Sequence, residues 1–150
     1  MGKLEIIIGC MYSGKSTELI RRVSRYEAIG NKTLIINHNL DVRTGKSVKT
    51  HSNLERTAIK TDKLLSIINS PEYQESSIIG IDEAQFFVDL YQFIIESEKD
   101  NKIIIVAGLD GDSNRKPFGQ ILNCIPLCDE IVKLTAMDMI DSDGTPAIFT

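Results

Sequence analysis

One short run constrains this 150-residue chain more than any other feature: Gly9-Cys10-Met11-Tyr12-Ser13-Gly14-Lys15-Ser16, with Thr17 next. It fits G-x-x-x-x-G-K-[ST] completely, and its flanks supply the context that pattern needs. Residues 3–8 are apolar and read as a short buried strand. Residues 15–29 place Leu19, Ile20, Val23 and Tyr26 on one helical face, and Gly30-Asn31 is a stop signal. A strand that ends, a backbone that wraps closely and a helix that begins with free N–H groups make a cradle for phosphate. Gly9 and Gly14 permit the curvature. Lys15 is expected to reach the β- and γ-phosphates of a nucleotide, and the Ser16 hydroxyl to ligate Mg²⁺.

The remaining pattern extends this unit into an α/β domain. Residues 33–37 read as a second strand, 77–82 as a third, 102–109 as the most apolar one and 131–134 as a fifth. Residues 86–99 read as a helix with Phe87, Leu90, Phe93 and Ile94 on one side. Asp62 is placed to cap a helix over 63–69, ended by Ser70-Pro71. Residues 38–57 are polar and aperiodic and read as a long, mobile loop, of a length that is usually functional or disordered. Alternating strands and helices predict a parallel sheet covered on both faces, a RecA-like P-loop fold in one domain spanning 1–150.

Composition narrows the function classes. Hydrophobic residues at 42% and charged residues at 25% are ordinary for a globular domain and exclude disordered and fibrous classes. A net charge of −4 argues against a general nucleic-acid binder. The apolar runs are strand-sized, the N-terminus lacks a signal-peptide core, and the sequence after Gly2 does not fit myristoylation. The three cysteines, Cys10, Cys124 and Cys128, read as reduced thiols. A cytoplasmic protein without a membrane partner is the expectation.

A second chemical feature is Ile78-Ile79-Gly80-Ile81-Asp82-Glu83, an apolar strand ending in two carboxylates. In P-loop enzymes an aspartate at this place holds the magnesium shell, which assigns Asp82 as the other Mg²⁺ ligand. Glu83 lies at the carboxyl edge of the sheet, where ligands of open α/β sheets bind, and is the candidate general base. The competing role for Glu83 is a cap on the helix starting near Gln85. Other candidates read blandly. His38 and His51 are expected in solvated loop, and Cys124 and Cys128 in core packing. Asp138, Asp141 and Asp143 lack the spacing of a calcium loop. Phe86, Phe87, Tyr91 and Phe93 are mostly core by helical spacing.

Together these residues resemble the type II thymidine kinase family, the cytosolic and viral kind, over essentially the whole chain. The blocks in order are residues 11–17, Asp82-Glu83-Ala84-Gln85-Phe86-Phe87, Ala107-Gly108-Leu109-Asp110-Gly111, Arg115-Lys116-Pro117-Phe118-Gly119 and Lys133-Leu134-Thr135-Ala136. The resemblance implies a deoxynucleoside kinase using ATP and Mg²⁺, with thymidine as acceptor and Glu83 as the base taking the 5′-hydroxyl proton. It puts Asp41 and Arg43 near the phosphates, Arg43 as a catalytic cation, with Gln85 also in the ATP site. It surrounds the nucleoside with Met11, Gln85, Phe86, Leu109, Ser113 and Phe118, and sets Arg115 near the sugar and phosphate. It further implies a homotetramer, with dTTP as feedback inhibitor.

Three positions depart from the family pattern. Ser113 stands where an aromatic residue commonly packs on the base. Asp138-Met139-Ile140-Asp141 replaces the first zinc Cys-x-x-Cys pair, so zinc is not expected. The family's lasso region starts near residue 136, and the chain ends at Thr150, about where the lasso loop itself begins; this is read as an absent or truncated segment. Two other functions stay open on sequence. Asp82-Glu83-Ala84-Gln85 also spells a helicase box, which suits a RecA-like ATPase module of a nucleic-acid motor. A nucleotide-binding paralogue without turnover is the third reading.

Overall fold

The computed structural model describes residues 2–11, 13–39, 48–49, 55–112, 114–140 and 146–147. Strand β1 (Lys3–Gly9) leads to helix α1 (Lys15–Ala28) and strand β2 (Thr33–His38). Strands β3 (Val48–Lys49) and β4 (Glu55–Thr61) precede helix α2 (Pro71–Glu75) and strand β5 (Ile78–Ile81). Helix α3 (Leu90–Lys99), strands β6 (Ile103–Leu109) and β7 (Glu130–Leu134), and a hairpin of β8 (Ala136–Ile140) and β9 (Pro146–Ala147) follow.

The first seven strands form one sheet in the order β3-β4-β2-β5-β6-β1-β7. Every neighbouring pair is parallel except the antiparallel edge pair β3–β4. Parallel neighbours need crossover connections, which bring helices onto both faces. Side-chain alternation along β1 divides the core accordingly. Leu4, Ile6 and Ile8 pack with Leu90, Phe93 and Ile94 of α3, whereas Ile7 packs with Leu19 and Val23 of α1. Each such fully buried side chain contributes about 1.5–3 kcal/mol.

Glu5 is the polar exception on the α1 face. Its carboxylate accepts from Arg22 at 2.8 Å and from the Tyr26 hydroxyl at 3.0 Å, with Lys3 at 3.3 Å. Arg22 also pairs with Glu18 and Glu130. A carboxylate that is 4% exposed is tolerable only with such company.

Four expectations need correction. The end of the expected 38–57 loop, from residue 55, is the start of β4, which pairs with β2 from Leu34↔Thr57 to His38↔Thr61. Near a sheet edge that strand buries little, only partly covering Ala58 and Ile59, so hydrophobic alternation barely marks it. Most of the remaining loop, including His51, lies outside the described residues. The helix expected over 63–69 is a 3-10 turn, Leu64–Ile67, preceded by Lys63 rather than capped by Asp62. Its first N–H groups, on Leu64 and Leu65, donate to Asp89 at 3.2 and 3.0 Å.

Ser70-Pro71 opens a helix rather than only closing one: the Ser70 hydroxyl accepts from the Tyr73 N–H at 3.2 Å, and Pro71 takes the first position of α2. The helix expected from 86 begins at Leu90, behind a 3-10 turn over Ala84–Phe86. Phe87, between the two, is buried all the same. Cys124 and Cys128 pack against the core as expected, from the 3-10 turn Leu122–Leu127 and its end. Asp138 falls in β8, and Asp141 and Asp143 lie outside the described residues.

Candidate functional site

The site gathers at the carboxyl edge of the sheet, where β1, β5 and β6 end side by side. β6 lies between the phosphate-loop strand and the acidic strand, so the start of α1 reaches Asp82 from one strand further away. Gly14 is the N-cap residue of α1, and Glu18 N–H closes the first helical turn onto its carbonyl at 3.0 Å. Lys15, only 8% exposed, curls back into its own loop: its ammonium donates to the Cys10 carbonyl at 2.6 Å and to Ser13 Oγ at 3.4 Å. The Ser13 N–H also donates to the Cys10 carbonyl, at 3.3 Å. One cation is thereby held against backbone at the mouth of a helix N-terminus, the arrangement that attracts a polyphosphate.

Ser16 and Asp82 meet as the motif requires. Ser16 Oγ donates to the two Asp82 carboxylate oxygens at 3.1 and 2.9 Å. Asp82 is itself 7% exposed; its N–H donates to the Ile36 carbonyl at 3.0 Å, and its Oδ1 accepts from the Glu83 N–H at 2.9 Å. A hydroxyl and a carboxylate already in contact form a hard-oxygen pair that fits Mg²⁺, an ion commonly held by one or two protein oxygens plus substrate phosphates and water.

Glu83 occupies the N-cap position of the following turn without capping it through its side chain. It sits at φ 50°, in the left-handed region that non-glycine residues rarely occupy, and makes no side-chain capping bond. Its Oε2 instead accepts from Gln85 Nε2 at 2.7 Å. Gln85 is buried, and its Oε1 accepts from the Leu109 N–H at 3.0 Å.

An aromatic wall stands beside these groups. Phe86 meets Phe118 edge-on, with ring centroids 5.9 Å apart, and its other neighbour is the His38 ring at 5.6 Å. His38 also packs on Phe87 at 4.7 Å. The histidine expected in solvated loop is therefore buried at the end of β2. The sequence signal that could have found it is its place at the carboxyl end of a strand, the edge where ligands of such sheets bind. Asn37 beside it was missed as well. Alternation with Ile35 and Ile36 puts it on the α1 face, and its buried Oδ1 lacks a hydrogen-bond partner among the described residues.

The structure thus brings together Gly9, Cys10, Ser13, Gly14, Lys15, Ser16, Asp82, Glu83, Gln85, Phe86, Leu109 and Phe118. Met11 is half-exposed on the loop and Thr17 is exposed on α1. Arg115 is exposed in a tight turn at φ 64°, its N–H donating to the Asp112 carbonyl at 3.0 Å. That turn is closed by the Gly111↔Pro117 bridge. Tyr12, Asp41, Arg43 and Ser113 lie outside the described residues. Among the described residues there is no cluster of three or more His, Cys, Asp or Glu able to hold a metal.

Comparisons with known proteins bear on the fold and on the family. A crystal structure of the flagellar accessory protein FlaH from Methanocaldococcus jannaschii superposes with a TM-score of 0.60. It covers 87% of this chain and 70% of that one at 14% identity, a likeness of fold alone. The thymidine kinase of Raccoon poxvirus is 48% identical over 138 residues, 92% of this chain and 77% of that protein. The thymidine kinase of Vaccinia virus (strain Western Reserve) is 46% identical over the same shares. The thymidine kinase family model matches residues 2–149. With the match running through the phosphate loop, the acidic strand end and the aromatic wall alike, the chain belongs to the thymidine kinase family.

Proposed function

We propose that this chain transfers the γ-phosphoryl group of ATP to the 5′-hydroxyl of thymidine. The observation that carries the reading is the Ser16–Asp82–Glu83 connection, which joins a phosphate loop to a candidate base at one sheet edge in a chain of this family. Phosphoryl transfer passes through a loose transition state, so the protein contributes position and charge rather than covalent chemistry. Lys15 binds and neutralises the β- and γ-phosphates. Ser16 and Asp82 would hold Mg²⁺, which would supply further positive charge to the phosphates. Glu83 accepts the proton of the 5′-hydroxyl as it attacks, and Arg43, with Asp41, is proposed to act at the phosphates.

The thymine is proposed to lie along Phe86 and Phe118, near Met11 and Leu109, with Ser113 also among the nucleoside contacts and Arg115 near the sugar and phosphate. A homotetrameric, cytoplasmic enzyme inhibited by dTTP completes the reading. No helix among the described residues is long and apolar enough to cross a membrane.

The test is thymidine-dependent release of ADP from ATP, measured with Lys15→Ala beside the parent. The parent is expected to consume ATP only with thymidine present, and the variant to lose turnover and bind ATP more weakly. ATP consumption driven by nucleic acid instead, or unchanged turnover in Lys15→Ala, would overturn the proposal.

A further inference from the structure

Both ends of the Gln85 amide are engaged inside the protein, although family resemblance counts it among the ligand contacts. Oε1 is held by the Leu109 N–H at 3.0 Å and Nε2 by Glu83 Oε2 at 2.7 Å, and the residue is 3% exposed. The orientation follows from chemistry. A backbone N–H can only donate, so the amide atom facing Leu109 is the oxygen, and the NH₂ is left facing Glu83, where only an acceptor suits it.

The surroundings leave room for this residue, side chain and main chain alike. A Cβ on Gly108 would stand 2.6 Å from Gln85 Oε1, and a Cβ on Gly119 would stand 2.3 Å from the Gln85 carbonyl oxygen. Glu83 needs such support. Its φ of 50° sends the chain through a sparsely populated conformation immediately before the turn, and its backbone N–H is fastened to Asp82.

We infer that Gln85 is a positioning residue, a strut that ties the Glu83 carboxylate to the end of β6 and aims it at the acceptor hydroxyl. The inference rests on the proposed role of Glu83 as base. The sheet reaches Glu83 by two routes: main chain through Asp82 just after β5, and side chain through Gln85 from the end of β6. Two anchors on different strands fix both the place and the rotation of a carboxylate, which one anchor cannot do.

A double-mutant cycle tests this. Gln85→Met removes both hydrogen bonds at similar length. Gln85→Glu keeps an acceptor for the Leu109 N–H but turns a second carboxylate toward Glu83. Each is made alone and together with Glu83→Gln, with kcat and the KM for ATP measured. Each single Gln85 variant should lower kcat about 10- to 100-fold, the scale of a misplaced catalytic group. The KM for ATP should stay within about twofold, since the lost contact acts on chemistry rather than on nucleotide binding. In the Glu83→Gln background neither change should lower kcat further.

Equal losses in both backgrounds, an unchanged kcat in the single variants, or a KM for ATP rising in step with the loss would each overturn the inference. Failure of the underlying reading shows elsewhere: Glu83→Gln alone would keep its kcat, removing the base assignment and the strut with it. If Gln85→Met does not fold, Gln85→Glu carries the same comparison.

Discussion

Replacing Gly119 by alanine tests how closely the segment after β6 is fitted over the turn that bears Gln85. Gly119 sits at φ 67°, and an added Cβ would meet the Gln85 carbonyl oxygen at 2.3 Å, its carbon at 3.0 Å and its Cα at 3.2 Å. The left-handed conformation costs an alanine about 1–2 kcal/mol. The contact costs more. Reaching even 3.0 Å from the oxygen requires an opening of about 0.7 Å, and both partners are main chain, so neither yields by rotating a side chain. Overpacking of this kind costs about 1–3 kcal/mol. Alanine also restricts the unfolded chain, which returns about 0.4–1 kcal/mol. The net expectation is a loss of about 1–5 kcal/mol.

Gly30→Ala is the control, since Gly30 has φ 95° but nothing within 4 Å of the added Cβ. It carries the conformational and unfolded-state effects alone, about 1 kcal/mol in all. Urea unfolding of both variants separates the clash from the strain. Gly119→Ala should also lower kcat about tenfold or more, because the turn it displaces holds Gln85 and Phe86, while Gly30→Ala keeps the parent kcat. Equal stabilities for the two variants, with kcat retained in Gly119→Ala, would refute the reasoning.

Two further expectations concern titratable groups. Hydrogen bonds from Arg21, with those from Arg22 and against the effect of burial, bring the Glu18 carboxyl from the ordinary 4.5 down to about 2. Its contribution to stability is therefore full above 4.5 and lost as pH falls toward about 2; urea midpoints across that window should fall less steeply in Arg21→Gln than in the parent. Burial, and to a smaller degree the neighbouring Cys128, pushes the Cys124 thiol up to about 11. In the folded protein at mildly alkaline pH, Cys124 should resist iodoacetamide and react only in urea, as read by peptide mass spectrometry. Alkylation at the same rate in both states would contradict its placement in the core.

Local features were the legible ones. The strand, loop and helix around Lys15 are specified by neighbouring residues, because the same short segment must end a strand, curve and expose N–H groups. The acidic end of β5 was legible for the same reason, as an apolar run closed by Asp82-Glu83. Elements whose partners are distant were misread. β4 gains its strand character from hydrogen bonds to β2 rather than from buried side chains of its own. Asp89 sits at the start of α3 yet spends its carboxylate on the turn at Leu64 and Leu65, 25 and 24 residues earlier. Phe87 and Leu90 are spaced like a helical face, but the chain between them is not yet helix.

By itself, then, the sequence determined that a phosphate-loop motif joins a β-strand to a helix, that a carboxylate pair closes another strand, and that its motifs are those of the thymidine kinase family. Tertiary structure alone decided which strands stand side by side, that His38 is buried on Phe86 and Phe87, and where the Gln85 amide points. Strand order, burial and the direction of a flexible side chain depend on groups far apart in sequence. An amide that could face a ligand or a carboxylate equally well has its orientation chosen by the one backbone donor, Leu109 N–H, that folding brings to its other end.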